Sequence, residues 1–86
     1  MANTKQARKR VRQNEERRQH NKHYKSRMRS AIKKVETAVR QGDKQSAQQA
    51  LETAVPEIDR TASKGAIHRN AAARTVSRLT RKVQGL

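Results

Sequence analysis

Cysteine, tryptophan and phenylalanine are all missing from this chain of 86 residues, and Tyr24 is its single aromatic. Without cysteine there is no disulfide and no thiolate metal site, a composition compatible with a reducing compartment. With one aromatic, the chain cannot offer a row of rings for unstacked bases. Glycine occurs three times, at positions 42, 65 and 85, proline once, at Pro56, and neither in the first forty-one residues. The longest unbroken apolar run is Ala71-Ala72-Ala73. A membrane span needs about 20 apolar residues and a signal-peptide core about 7–15, so neither is present. The arginine-rich start has the composition of an organelle transit peptide, but Thr4 and Ser26 are its only hydroxyl residues before Ser30, which argues against that reading.

What the chain has in abundance is positive charge, 22 Lys and Arg against 7 Asp and Glu. The charge is patterned. Residues 1–34 hold thirteen cations against Glu15 and Glu16, a net +11. Residues 35–63 carry net −2 and residues 64–86 net +6 with no acid. Two basic blocks around a mildly acidic middle restrict the partners to nucleic acid, an anionic membrane or an acidic protein.

The apolar residues set the fold. Of 27 hydrophobic residues 12 are alanine, which leaves 15 larger side chains for a core in one small domain, residues 1–86. Tyr24, Met28, Ala31, Ile32, Val35, Ala38 and Val39 follow one helical stripe. Continued backwards, the stripe becomes Asn21, His20, Arg17, Asn14, Gln13, Arg10 and Gln6, and the apolar face is lost. A first helix therefore packs from about Tyr24 onward, and residues 1–23 form a basic arm projecting roughly 30 Å. Ala47, Ala50, Leu51, Ala54, Val55, Ile58 and Ala62 form a second stripe; Ala72, Val76, Leu79, Val83 and Leu86 form a third, with Asn70, Arg74, Arg78 and Arg81 opposite.

The punctuation agrees with three helices. Gly42 suits the left-handed residue after a helix, Asp43 can cap the next, and Gly65 and Gly85 mark the other two ends. Asn3 with Gln6 approximates a capping box at the start. Pro56 should kink the second helix without stopping it. Ile67 lies off the third stripe, so Lys64–Ile67 reads as a turn and the third helix starts near His68. Glu36 and Arg40 stand at supportive i,i+4 spacing. Nothing alternates with period two, so no strand is expected. The expectation is an all-α fold, an antiparallel three-helix bundle whose long basic first helix projects beyond it.

Catalysis and metal binding find little support. His20 and His23 lie three apart among cations, with no third ligand, and read better as phosphate or ribose donors or as solvated residues. His68 reads as a cap or a nucleic-acid contact rather than a base. There is no nucleotide-binding glycine loop and no evident cleft, so no enzyme, cofactor or small-molecule substrate is expected. The basic helix is the more informative feature: Lys5, Arg8, Lys9, Arg10 and Arg12 sit at the positive end of a helix dipole, an arrangement that external phosphate would relieve. The chemistry fits folded nucleic acid held through its backbone. A nucleoid-type DNA-binding protein is the alternative, although no exposed apolar wedge for minor-groove kinking is evident. A membrane-surface helix would need bulky apolar residues opposite the cations in residues 1–23, where there is little besides Val11.

Residue by residue the chain resembles the bacterial small-subunit ribosomal protein S-twenty family. The similarity rests on Ala2-Asn3 with Lys5 and Ala7, Lys9-Arg10, Arg17-Arg18, Asn21, Ser26, Arg29, Lys33-Lys34 and Gly42-Asp43-Lys44. Most specific is the series Lys64-Gly65, Ile67-His68-Arg69-Asn70, Ala72-Ala73-Arg74 and Ser77-Arg78-Leu79. The resemblance implies a three-helix bundle bound to small-subunit ribosomal RNA, near its 5′ domain and long penultimate stem, in the cytoplasm and without enzymatic activity. Val76 departs from a common lysine, Gln6 from serine and Ser30 from threonine; the first removes one expected phosphate contact. The candidate RNA-binding residues are Lys5, Arg8, Lys9, Arg10, Arg12, Arg17, Arg18, Asn21, Lys22, Lys25, Arg29 and Lys33, with Lys64, His68, Arg69, Asn70, Arg74 and Arg78 as a second set.

Overall fold

The computed structural model describes residues 4–86, which form three helices, α1 (Lys5–Arg40), α2 (Lys44–Ser63) and α3 (Arg69–Gln84). The expected Asn3 cap lies outside the described residues. The cap observed is Thr4, whose hydroxyl oxygen accepts from the Ala7 amide at 3.3 Å. At about 1.5 Å per residue a 36-residue helix is roughly 54 Å long. That matches the longest dimension of the molecule, 60 Å against 20 and 16 Å for the others, so α1 alone sets the long axis.

Two left-handed glycines make the turns. Gly42 (φ 71°) donates to the Val39 carbonyl and Asp43 to that of Ala38, at 3.0 and 3.2 Å. Gly65 (φ 79°) and Ala66 repeat the pattern on Ala62 and Thr61, at 2.9 and 3.1 Å. Each pair closes a Schellman motif, which satisfies carbonyls that the helix end leaves free. Asp43 then serves twice, because its carboxylate also accepts from the Ser46 amide (3.1 Å) and hydroxyl (2.7 Å) and so caps α2. Those bonds, the Ser46 hydroxyl first, hold its carboxyl below the ordinary value of 3.8. Gly85 differs: it ends α3 at φ −72°, in ordinary helical conformation. The second helix runs through Pro56 without stopping.

The core is thin, as an alanine-rich composition requires. Val35, Ala38, Ala47, Ala54, Ile58, Ala72, Leu79 and Val83 are buried, and Met28, Ile32, Leu51, Ile67 and Val76 pack against them. Ile67 reaches the core from the turn before α3, which explains why it lies off that helix's own stripe. Thr61 joins the core as its one buried polar side chain. Its hydroxyl lies 2.7 Å from the Glu57 carbonyl and 3.3 Å from that of Tyr24, so α2 is tied to α1 without an unpaired donor. Leu86 is 38 % exposed and contributes nothing to the core, since α3 has already ended at Gln84.

Candidate nucleic-acid interface

From Lys5 to His20 every residue of α1 is exposed except half-buried Ala7. Lys5, Arg8, Lys9, Arg10, Arg12, Arg17 and Arg18 are therefore all in solvent, and Val11 is an isolated exposed apolar side chain. Packing begins at the junction with the bundle, where Asn21, Tyr24 and Lys25 are half-buried while Lys22, Arg29 and Lys33 stay exposed. Among the described residues only three ion pairs form: Arg27–Glu57 (3.2 Å), Arg60–Glu57 (3.1 Å) and Lys82–Glu36 (3.5 Å). Twelve of the thirteen cations in residues 1–34 thus have no carboxylate partner. Glu15 and Glu16 pair with none of them. Glu36 turns to Lys82 of α3 rather than to Arg40, whose guanidinium lies 3.5 Å from the Thr37 hydroxyl.

Tyr24 stands between the two basic blocks. The rings of His20 and His23 meet it edge-on, with centroids 4.9 and 5.3 Å away. The Lys64 ammonium lies 6.0 Å from its ring centre, at the outer limit of a cation–π contact. This aromatic is occupied in joining α1 to the α2–α3 turn. Lys64 and Gly65 border one groove with Gln13, Glu16, Arg17, His20 and Asn21, so the second basic block begins where the arm leaves the bundle. A second groove lies along α1 alone, lined by Asn14, Arg17, Arg18, Asn21, Lys22, Lys25 and Arg29. Asn14 was missed by the sequence reading, although its spacing of four and seven to Arg18 and Asn21 puts it on the same line.

On α3 the exposed set is His68, Arg69, Asn70, Arg74 and Arg78, with Arg81 and Lys82 beyond. His68 is the cap of this helix. Its Nδ1 accepts from the Asn70 amide at 3.0 Å, which leaves Nε2 as the ring nitrogen free to donate outward. No cluster of three or more His, Asp or Glu side chains that could hold a metal exists among the described residues, and no described helix is long and apolar enough to cross a membrane.

A protein-family profile described as Ribosomal protein S20 matches residues 2–84. The chain belongs to that family. It is 55 % identical over 86 residues to the small ribosomal subunit protein bS20 of Thioalkalivibrio sulfidiphilus, covering all of both chains. It is 52 % identical to the protein of the same name in Colwellia psychrerythraea, again over the whole of both. For the one in Acidithiobacillus ferrooxidans the identity is 54 %, over all of this chain and 94 % of the relative. Family membership and geometry meet on one feature, the cationic helix extending past its own core.

Proposed function

We propose that this chain is a structural, non-enzymatic constituent of the small ribosomal subunit, in the cytoplasm, that binds small-subunit ribosomal RNA directly and supports its assembly. The mechanism is counter-charge. The observation that carries the reading is the exposed first half of α1, seven cations over residues 5–20 with no carboxylate partner and no core to rest on. Phosphates around such a helix neutralise it, and the helix in turn cancels the repulsion between RNA elements on either side. Lys64, His68, Arg69, Asn70, Arg74 and Arg78 supply a second contact. The 5′ domain and the long penultimate stem are the RNA regions the family resemblance suggests.

Of the arm, residues 5–23 are largely disordered in the free protein and take up the helix seen here only against RNA. A helix without tertiary support is marginal in water, and one with this density of like charge is more so. Ordering on contact admits the segment to a crevice that a rigid rod cannot enter. Affinity measured against salt tests the whole reading. With ten or more cations on phosphate, at roughly 0.7–0.9 counterions each, the log–log slope should reach about −7 to −9. A nearly flat plot, or duplex DNA competing as well as ribosomal RNA at fixed salt, refutes it.

A further inference from the structure

α1 offers two places at which a helix can begin. The start seen in the structure is Thr4, and it is a weak one. The Thr4 hydroxyl accepts from the Ala7 amide at 3.3 Å, longer than an ordinary N–H···O bond, and the first turn holds no acid. Lys5, Arg8, Lys9 and Arg10 stand instead at the positive end of the helix dipole, where cations are unfavourable. The second place is Asn14. Asparagine is among the best N-cap residues, and Glu15 and Glu16 directly after it would fill a first turn in which carboxylate and dipole agree. These are the only acids in residues 1–34, and among the described residues neither pairs with a cation.

Tertiary support fades over the same stretch. Asn21 and Tyr24 are half-buried, the His20 ring meets Tyr24 edge-on at 4.9 Å, and the Thr61 hydroxyl lies 3.3 Å from the Tyr24 carbonyl. The groove beside Lys64 and Gly65 takes Gln13, Glu16 and Arg17 from α1 and nothing nearer its start. The packed turn at residues 20–24 is therefore a ready nucleus. Helix grows from it toward the amino terminus by propagation, free of the nucleation factor of about 0.001 that holds isolated helices back. Growth passes Arg18 and Arg17, brings Glu16 and Glu15 to the positive end, and is capped at Asn14. Every turn beyond that adds Arg12, Arg10, Lys9, Arg8 and Lys5 in succession, with no acid to offset them.

Resting on the reading above, in which RNA orders the arm, we propose that α1 has two alternative starts and that phosphate selects between them. In the free chain the helix that the arm retains begins at Asn14, with Glu15 and Glu16 in its first turn, and residues 5–13 are unwound. Against small-subunit ribosomal RNA the start moves out to Thr4, because phosphates supply the negative charge that this first turn lacks. Glu15 and Glu16 are thus positioning residues, which set where the free helix stops.

Backbone NMR and amide exchange on the intact chain, free and bound to small-subunit ribosomal RNA, test this with one substitution at each start. In the free parent chain helical chemical shifts should fade from residue 23 and vanish at Asn14. Asn14→Ala should lower the helical population of residues 15–19 by about two- to five-fold, as loss of a cap does, while residues 28–40 keep their shifts. Thr4→Ala should change nothing in the free chain. In the complex the roles reverse: Thr4→Ala should speed exchange of the Ala7 amide by about two- to five-fold, and Asn14→Ala should leave residues 15–19 protected. A free helix that begins elsewhere than Asn14, unchanged shifts in the Asn14→Ala chain, or a complex in which residues 5–13 exchange freely overturns the two starts and leaves RNA binding standing. An affinity indifferent to salt overturns the reading on which they rest.

Discussion

The two halves of α1 share one unbroken ladder of backbone hydrogen bonds and nothing else. Residues 24–40 place Val35 and Ala38 in the core and bind neighbours through Arg27 and Glu36. Residues 5–20 bury no side chain. In the bundle half, Arg27 is paired with a carboxylate of α2; in the arm no cation has a carboxylate partner. A helix that is polar on every side gains no tertiary stabilisation, so its order depends on what surrounds it. The difference teaches that one element can be a scaffold at one end and an unsupported helix at the other, with Tyr24 at the boundary.

Removing residues 1–23 is the strongest way to break that comparison. The truncated chain loses 8 of its 22 Lys and Arg, and the salt slope of RNA binding should shrink by roughly 6–7. Cooperative unfolding of the bundle, followed by circular dichroism in urea, should be almost unchanged. Undiminished RNA affinity, or a rigid free helix over residues 5–20 by backbone NMR, would mean that the two halves are not distinct in kind.

The converse change leaves the arm alone and strikes the core. Ile58 of α2 is fully buried in the core, and Ile58→Ala should destabilise the bundle by about 2–5 kcal/mol. Against a thin core that is much of the total stability. Urea unfolding measures it, and a midpoint close to that of the parent chain would show that the core can collapse around the lost methyls.

Smaller effects sharpen the picture within the bundle. Replacing Arg74 and Arg78 with Gln should reduce the salt slope by roughly 1.4–1.8 and leave the melting temperature near the parent value, since both are exposed and unpaired. A collapse of stability would reassign them to the fold. The smallest effect expected is at Asp43, whose carboxyl is held low by Ser46. A depressed carboxyl contributes stability that is complete above the unfolded value of 3.8 and is lost as pH falls through the lower native one. Acid titration of Asp43→Asn beside the parent should show a shallower loss below that pH; identical profiles would remove Asp43 from the acid response.

Much of the candidate site was legible because its features are local. The decay of the apolar stripe before Tyr24, the cap at Asp43, the turns at Gly42 and Gly65 and the start of α3 at His68 all depend on residues within four positions of each other. What escaped depended on distance along the chain. Glu36 could be matched with Arg40 by spacing, but its ion-pair partner is Lys82, 46 residues away. Thr61 reads as polar in sequence and is buried, because a carbonyl of α1 waits beside it. Leu86 continues the rhythm of α3 but falls after the helix has stopped.

The sequence by itself determined the three helices, the turns between them, the loss of a core before residue 24 and the excess of positive charge, because helical periodicity, capping and φ preference act over a few residues. The tertiary structure alone decided which cations are consumed by carboxylates, with Arg27 meeting Glu57 of α2 and Lys82 of α3 meeting Glu36. Those depend on the order in which helices pack, and a Coulomb interaction has no meaning until the distance is fixed.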